Sequence, residues 1–406
     1  MRSEHVRVAG AVRVDDERDA NGANDPVRLR AVVPVDGRRA LRAGVARDDV
    51  VALAAGGAHG DPGPLRRGWE RAPGRRRADG RAERADGRVG DPARFALDRR
   101  VTPGGYGWYY LDAVSADGKH ALVVIAMLGN VFSPRYARAR AKDPLVDPLC
   151  FSTMNVALYG PRGSTWALTE RGRDAVSMQP DALAIGASSM RWEKDDLVVE
   201  LSERASPFGG RLAGRIAGRI RVRPRVRLSE EIALDDVGAH RWRPLVPSAD
   251  VDVEMSSPCA SWRGTAYVDS NDGDGAVESA FDSWTWSRTP LSGGRVAIAY
   301  RATLRDGRET DVSRIVSASG RTVPMESVPW RELPATAWRL ARRAPSQGGA
   351  KIVRTLEDTP FYSRSLVEAT IRGERAVSVH ESVSLRRFAA PWVRMLLPFR
   401  MRTEGT

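Results

Sequence analysis

The chain has 406 residues, 42% hydrophobic and 28% charged, enough to bury one or two substantial cores and unlike a collagenous or wholly disordered polypeptide. Its 64 basic against 51 acidic residues leave a formal net charge of +13, carried almost wholly by arginine, which favours anionic partners such as lipid headgroups or nucleic acid. The two cysteines, Cys150 and Cys259, lie far apart, which excludes a disulfide scaffold and any multi-thiolate zinc or iron–sulfur site.

The opening MRSEHVRVAGAVRVDD places charges where a signal peptide needs an apolar core, and the longest apolar stretch, Ala121 to Gly129, is about half the length of a spanning helix. An intracellular protein without a membrane span is expected. Residues 1–90 carry 19 arginines, no lysine and one aromatic, Trp69. A segment so poor in large apolar groups cannot offset the entropy of ordering itself, so residues 1–92 are expected to be a disordered extension. Read as a basic tail for nucleic acid, it lacks any block of lysine, arginine and aromatic residues.

From about residue 93 the pattern changes to short β-branched and aromatic runs punctuated by turn residues, which predicts an antiparallel all-β chain. Asp117-Gly118 separates 106–114 from 119–128, and Pro161-Arg162-Gly163 separates 154–159 from 165–169. Asp306-Gly307 separates 296–304 from 310–316, and Arg372-Gly373 separates 366–371 from 376–385. Each reads as a hairpin. Between Arg211 and Leu228, Leu212, Gly214, Ile216, Gly218, Ile220, Val222, Val226 and Leu228 share one strand face, and arginines fill the other. Glycines at 210, 214 and 218 have helix-dimer spacing, but Arg211, Arg215 and Arg219 exclude a lipid-buried helix. Two glycines on an apolar face either open a cavity or mark a bulge or barrel bend. Helical pattern is scarce, Ala335–Arg343 being the best candidate. The tail 388–402 mixes Phe388, Trp392, Met395, Leu396, Leu397 and Phe399 with arginines, suiting either a membrane interface or a segment docked on the core.

Familiar cofactor motifs fail. Gly104-Gly105-Tyr106-Gly107 lacks the third glycine and following helix of a dinucleotide site, and no phosphate loop or nucleophile elbow occurs. His5, His59, His120, His240 and His380 are too scattered for a histidine-rich metal centre. Chemistry without a cofactor, or binding alone, remains. The notable constellation is His240, Trp242, Tyr267, Asp269, Trp284 and Trp286. Tyr267 and Asp269, two apart, share a face if their run is a strand, and so do His240 and Trp242; together they would point one acid and several rings into a single barrel. Equally, Asp269 to Gly273 has the composition of a turn after a strand.

Five segments, Pro103-Gly-Gly-Tyr-Gly-Trp-Tyr-Tyr-Leu-Asp112, Asn130-Val-Phe-Ser-Pro134, Asn155-Val-Ala-Leu-Tyr-Gly-Pro161, Gly264-Thr-Ala-Tyr-Val-Asp-Ser-Asn271 and Arg354-Thr-Leu-Glu-Asp-Thr-Pro-Phe-Tyr362, together resemble the bacterial acyclic carotenoid 1,2-hydratases, or hydroxyneurosporene synthases. The resemblance runs from about residue 97 to 400 and leaves residues 1–90 outside it. It implies two successive lipocalin-like β-barrel halves, at 93–240 and 241–402, and cofactor-independent addition of water to the terminal double bond of an acyclic carotenoid such as neurosporene or lycopene. It also implies Asp269 as proton donor, Trp242 and Tyr267 as rings beside that acid that stabilise a carbocation or grip the polyene, and His240 as an orienting group. Trp284 and Trp286 fit packing or substrate lining. The expected partners are the carotenoid, water and a peripheral cytoplasmic or photosynthetic membrane surface, reached through the arginine stripe and the tail, and no nucleic acid; the oligomeric state is not legible. A noncatalytic lipocalin-like carrier of isoprenoid or lipid is the competing reading, separated from the enzyme by whether the Asp269 carboxyl is required.

Overall fold

Turn residues and period-two alternation generate two antiparallel sheets. The computed structural model describes residues 94–206, 214–326 and 328–404; the extension expected at 1–92 lies outside the described residues, as does Leu212. β1 (Tyr106–Ser115) turns at Asp117-Gly118, where Gly118 takes a φ of 69°, into β2 (Ala121–Leu128). β3 (Ser152–Gly160) and β4 (Gly163–Arg171) form the next hairpin, followed by β5 (Val176–Gln179), β6 (Ala182–Ile185), β7 (Ser188–Glu193) and β8 (Asp196–Arg204). β9 (Arg215–Val226), β10 (Ile232–Ala233), β11 (His240–Ser257) and β12 (Cys259–Gly273) complete this sheet, whose order is β4-β3-β2-β1-β12-β11-β9-β8-β7-β6-β5.

The second sheet holds β13 (Phe281–Pro290), β14 (Val296–Leu304), β15 (Glu309–Asp311), β16 (Arg314–Val316) and β17 (Thr322–Pro324). A separate ribbon of β18 (Trp330–Leu333) and β19 (Arg342–Pro345) follows. β20 (Lys351–Asp358), β21 (Tyr362–Ile371) and β22 (Glu374–Ser384) return to give the order β17-β16-β14-β13-β22-β21-β20. Short β23 (Arg402–Glu404) pairs in parallel with β4. Helices are few: α1 (Pro134–Lys142), capped by the Ser133 hydroxyl, α2 (Val277–Ala280), α3 (Leu385–Phe388) and α4 (Pro391–Arg400). No helix among the described residues is long and apolar enough to cross a membrane.

All four expected hairpins form. The change of sheet falls between Gly273 and Phe281, not at residues 240 and 241, because β11 and β12 pair with each other and carry on the first sheet to β9 and β1. Ala335–Arg343 is not a helix. Thr336 captures its own turn, its Oγ1 accepting from the Leu340 N–H at 3.1 Å and its carbonyl from the Arg339 N–H at 2.8 Å, and a side chain that satisfies the backbone in this way competes with helix formation. Gly218 marks a bulge. The register slips between Met255 and Ser257 opposite it, and a Cβ there would stand 2.5 Å from the Glu254 carbonyl. The arginine stripe of β9 is matched by carboxylates on β7, β8 and β11: Arg219 with Glu193 at 2.7 Å, Arg221 with Asp196 at 2.8 Å, Arg223 with Asp252 at 2.7 Å, and Arg225 with Asp250. Such cross-strand pairs stabilise the sheet and leave little unmatched charge there for an anionic surface.

Alternation decides which of two cores each side chain enters. On β1, Tyr109, Leu111 and Ala113 join the core enclosed by the curled first sheet, whereas Tyr106 and Tyr110 face the second sheet. On β12, Ala266 and Val268 point into the first core and Tyr267 into the second. β2 is apolar on both faces because both are covered, Leu122 and Val124 by one core and Val123 and Ile125 by the other. Between the sheets Asp112 of β1 and Arg288 of β13 form a buried ion pair, with Arg288 Nε 3.1 Å from Asp112 Oδ1.

Candidate active site

The covered face of β1 to β4 and β12, opposed by the second sheet, encloses about 1130 Å³ of empty space, part of it open to solvent. Aromatic rings and branched aliphatics make most of its wall: Trp108, Val123, Ile125, Phe132, Trp284, Trp286 and Tyr300. The acid therefore does not project into the interior of one barrel. It stands on the outer face of the first sheet, in the apolar seam between two sheets.

Asp269 lies on β12 directly opposite Tyr110 of β1 and is 5% exposed. Its Oδ2 accepts from Trp242 Nε1 and from the Tyr267 hydroxyl, each at 3.0 Å. Its Oδ1 is buried with no hydrogen-bond partner among the described residues. Burial raises its pKa from 3.8 to about 8, the two donated bonds opposing that rise and the negative charges of Glu381 and Asp112 adding to it. No cation among the described residues pairs with it, so desolvation prevails. With both donors on Oδ2, the proton belongs on Oδ1. The result is a neutral carboxylic acid bordering an apolar cavity, its Oδ1 without a hydrogen-bond partner among the described residues.

This environment predicts an unusual pH dependence of stability. The unfolded chain releases the Asp269 proton near the ordinary carboxylate value, whereas the folded chain keeps it to about pH 8. The contribution of Asp269 to stability is therefore fully present below about pH 4, falls as pH rises through the interval, and levels off above it. Asp269→Asn, which cannot ionise, is expected to melt above wild type near pH 8 and to lose that advantage towards pH 4 in thermal unfolding scans. A difference independent of pH would contradict the raised pKa.

Of the residues singled out in the sequence, Trp242 and Tyr267 meet Asp269. Both are 0% exposed; they stand behind the carboxyl as its donors. Trp284 and Trp286 of β13 line the cavity opposite, with Trp286 5.1 Å from the Tyr267 ring and 5.6 Å from the Tyr110 ring. Tyr300 of β14 packs 5.2 Å from Trp242. His240 is elsewhere. It opposes Gly273 at the far end of β12, its Nδ1 shares a hydrogen bond of 2.9 Å with the Tyr106 hydroxyl, and its ring packs on Phe281 at 5.0 Å. Burial lowers its pKa, so it packs as a neutral ring between Tyr106 and Phe281 and makes no hydrogen bond to Asp269.

The sequence pattern did not disclose a buried polar cluster on the second sheet. Glu381 of β22 accepts from the Tyr110 hydroxyl at 2.7 Å and from Arg364 Nε at 2.8 Å. Arg364 Nη1 donates to the Tyr159 hydroxyl at 2.6 Å and to Glu357 at 3.3 Å, and Arg400 donates to Glu357 at 2.6 Å. Glu381, Arg364, Glu357 and Arg400 all border the cavity. A lone glutamate in an alternating strand reads as a solvent-facing residue; Tyr110, Tyr159 and Glu357, inside the 103–112, 155–161 and 354–362 motifs, carried the signal.

Comparison with known proteins bears on this geometry. The model of the carotenoid hydratase CrtC family matches residues 124–405. An acyclic carotenoid 1,2-hydratase of Thiocapsa roseopersicina is 42% identical over 418 residues, covering 100% of this chain and 100% of its own. One from Rubrivivax gelatinosus is 42% identical over 385 residues, covering 93% of each. Among solved structures, kievitone hydratase from Nectria haematococca is 8% identical and covers 73% of this chain and 99% of its own, with a TM-score of 0.43. The whole-chain match takes in residues 1–93, which the motif resemblance did not reach. With the family match spanning both sheets and the relatives matching over nearly their full length, this chain belongs to the carotenoid hydratase CrtC family.

Proposed function

We propose that the chain is a hydro-lyase that adds water, without a cofactor, to the terminal carbon–carbon double bond of an acyclic carotenoid. The observation that carries this reading is Asp269, a carboxylic acid kept neutral in an aromatic cavity with its Oδ1 unengaged. An isolated trisubstituted alkene is a weak base, so hydration begins with a correctly placed proton donor that is still protonated at working pH, and with stabilisation of the cation that forms. The π electrons of the double bond take the Asp269 proton, a C–H bond forms at the less substituted carbon, and a tertiary carbocation develops at the other. Trp242 and Tyr267 hold Oδ2 and stabilise the carboxylate left behind. The ring faces of Trp284, Trp286 and Tyr300 line the space where the cation develops and each contribute roughly 0.5–2 kcal/mol to its stabilisation. Water then adds to the cation and gives a tertiary alcohol. The two curled sheets fit two lipocalin-like halves, with the substrate end taken between them.

Expression in a lycopene-producing bacterial host tests this reading. A pigment heavier by one water from the wild type supports it, and unchanged lycopene and neurosporene from a folded wild type would overturn it. A carrier needs the same cavity and has no use for a neutral buried acid.

The membrane is read as the source of this insoluble substrate. Helix α4 buries Val393 and Leu397 against the core and turns Trp392, Met395 and Leu396 outward, Met395 being 71% exposed. The groove beneath it shares Trp166, Phe361 and Leu397 with the walls of the cavity. The buried face matches a segment docked on the core, and the exposed apolar face supports the membrane-interface reading. Trp392→Ser with Met395→Ser is expected to reduce sedimentation with anionic phospholipid vesicles several-fold, since apolar contact supplies much of an interfacial helix's binding. Undiminished sedimentation would remove α4 from the docking surface.

A further inference from the structure

Hydration needs a second proton transfer. Once water adds to the carbocation, the resulting oxonium must release a proton, and a base that also holds the water accelerates that step. The inference below rests on the hydratase reading of the Asp269 cavity.

Three carboxyl groups border the cavity: Glu357, whose two oxygens are both engaged, by Arg400 and by Tyr159 with Arg364, and Asp269 and Glu381, which stand in opposite surroundings. Asp269, on the first sheet, has no cationic partner; Glu381, on the second sheet, is ion-paired with Arg364, itself 3% exposed. Both hydrogen bonds to Glu381, from Tyr110 and Arg364, fall on Oε1. Its Oε2 receives none among the described residues, and the residue, 8% exposed, borders the same cavity. Tyr110 ties the two together, since it lies directly opposite Asp269 in the β1–β12 register and donates to Glu381 across the seam between the sheets. A carboxyl group without a cationic partner and an ion-paired one with a free oxygen, on opposite walls of one cavity, supply a proton donor and a proton acceptor.

We propose that Glu381 is a second catalytic residue, whose Oε2 holds the attacking water and takes the proton that this water loses. The steps balance. The Asp269 O–H bond breaks and a C–H bond forms from the alkene π pair; a water lone pair forms the C–O bond; one water O–H bond breaks and its proton passes to Glu381. Return of that proton to the Asp269 carboxylate through water restores both groups. Arg364 and Tyr110 act as positioning residues, fixing Oε1 so that Oε2 is presented to the cavity.

Purified wild type, Glu381→Gln and Asp269→Asn, given lycopene in phospholipid vesicles in deuterated buffer, test the assignment by mass spectrometry of both the alcohol and the recovered lycopene. Wild type should form the alcohol. Glu381→Gln should form it about 100-fold more slowly while its recovered lycopene still gains deuterium, because reversible protonation by Asp269 remains. Asp269→Asn should do neither. The ratio of alcohol to incorporated deuterium is independent of how much of a variant folds, since both arise from the same folded molecules. Glu381→Asp, which keeps a charge opposite Arg364, should lower that ratio less than Gln does. An unchanged ratio in Glu381→Gln, or loss of both signals in a folded Glu381→Gln protein, would overturn the assignment; absence of alcohol and deuterium in the wild type would instead overturn the hydratase reading itself.

Discussion

Replacing Asp269 with asparagine is expected to lower the rate of carotenoid hydration by about two to four orders of magnitude, the usual range for loss of a general acid. Asparagine keeps the volume of the carboxyl and one oxygen that can accept from Trp242 and Tyr267, which both bond to Oδ2. What it loses is an acidic proton. In the wild type that proton persists because the carboxyl is buried, lacks a cation and has its pKa raised to about 8. Activity should therefore fall as pH rises through about 8, when the donor ionises, and hold on the acid side until other groups titrate. The measurement is alcohol formation per unit of folded protein across that range. A variant within a few-fold of wild type would show that protonation comes from another group and that Asp269 only shapes the cavity.

The second large effect concerns the seam itself. Arg288→Met removes the guanidinium from a pair in which both partners are buried and strands the Asp112 carboxyl between the sheets. Removing one member of such a pair costs about 3–5 kcal/mol. Burial already holds Asp112 above the ordinary carboxylate range, outweighing Arg288, so without the arginine the carboxyl takes up a proton more readily. A group with a raised folded-state pKa gives stability that is complete in acid and lost as pH rises, so the deficit of Arg288→Met should be smallest in acid and grow towards neutral and alkaline pH. Pairing it with Asp112→Leu should restore most of the loss, because a buried ion pair replaced whole by apolar side chains is often neutral or better. Chemical denaturation of the two variants at acid and neutral pH reads this out; equal losses in the single and double variants would mean that Arg288 matters through packing alone.

What could be read from the sequence follows the range of the interactions concerned. Asp117-Gly118 and Arg372-Gly373 disclose their hairpins because turn chemistry is local. The grouping of Trp242, Tyr267 and Asp269 was legible as residues sharing strand faces. Which side of the sheet they occupy was not, because that depends on a second sheet whose strands follow more than ten residues later; the only local hint was β2, apolar on both faces. The arginine face of β9 looked like a docking surface until strands β7, β8 and β11 brought carboxylates against it. Thr336 undid the expected helix through a single side-chain bond that propensity does not register. His240 shares its strand face with Trp242, yet the bond to Tyr106 and the packing against Phe281 fix it away from the acid. Glu381 escaped notice because its partners come from β1 and β21, and no pattern within β22 distinguishes a buried, ion-paired glutamate from an exposed one.

The central claim is that Asp269 protonates an alkene in the seam between the sheets and that solvent water completes the product. Incubating purified wild type and Asp269→Asn with lycopene and neurosporene in vesicles containing oxygen-labelled water, then weighing the carotenoids, tests it most directly. A labelled tertiary alcohol, heavier than the substrate by one labelled water, is expected from the wild type and not from Asp269→Asn. The same labelled alcohol from both proteins at similar rates would contradict it.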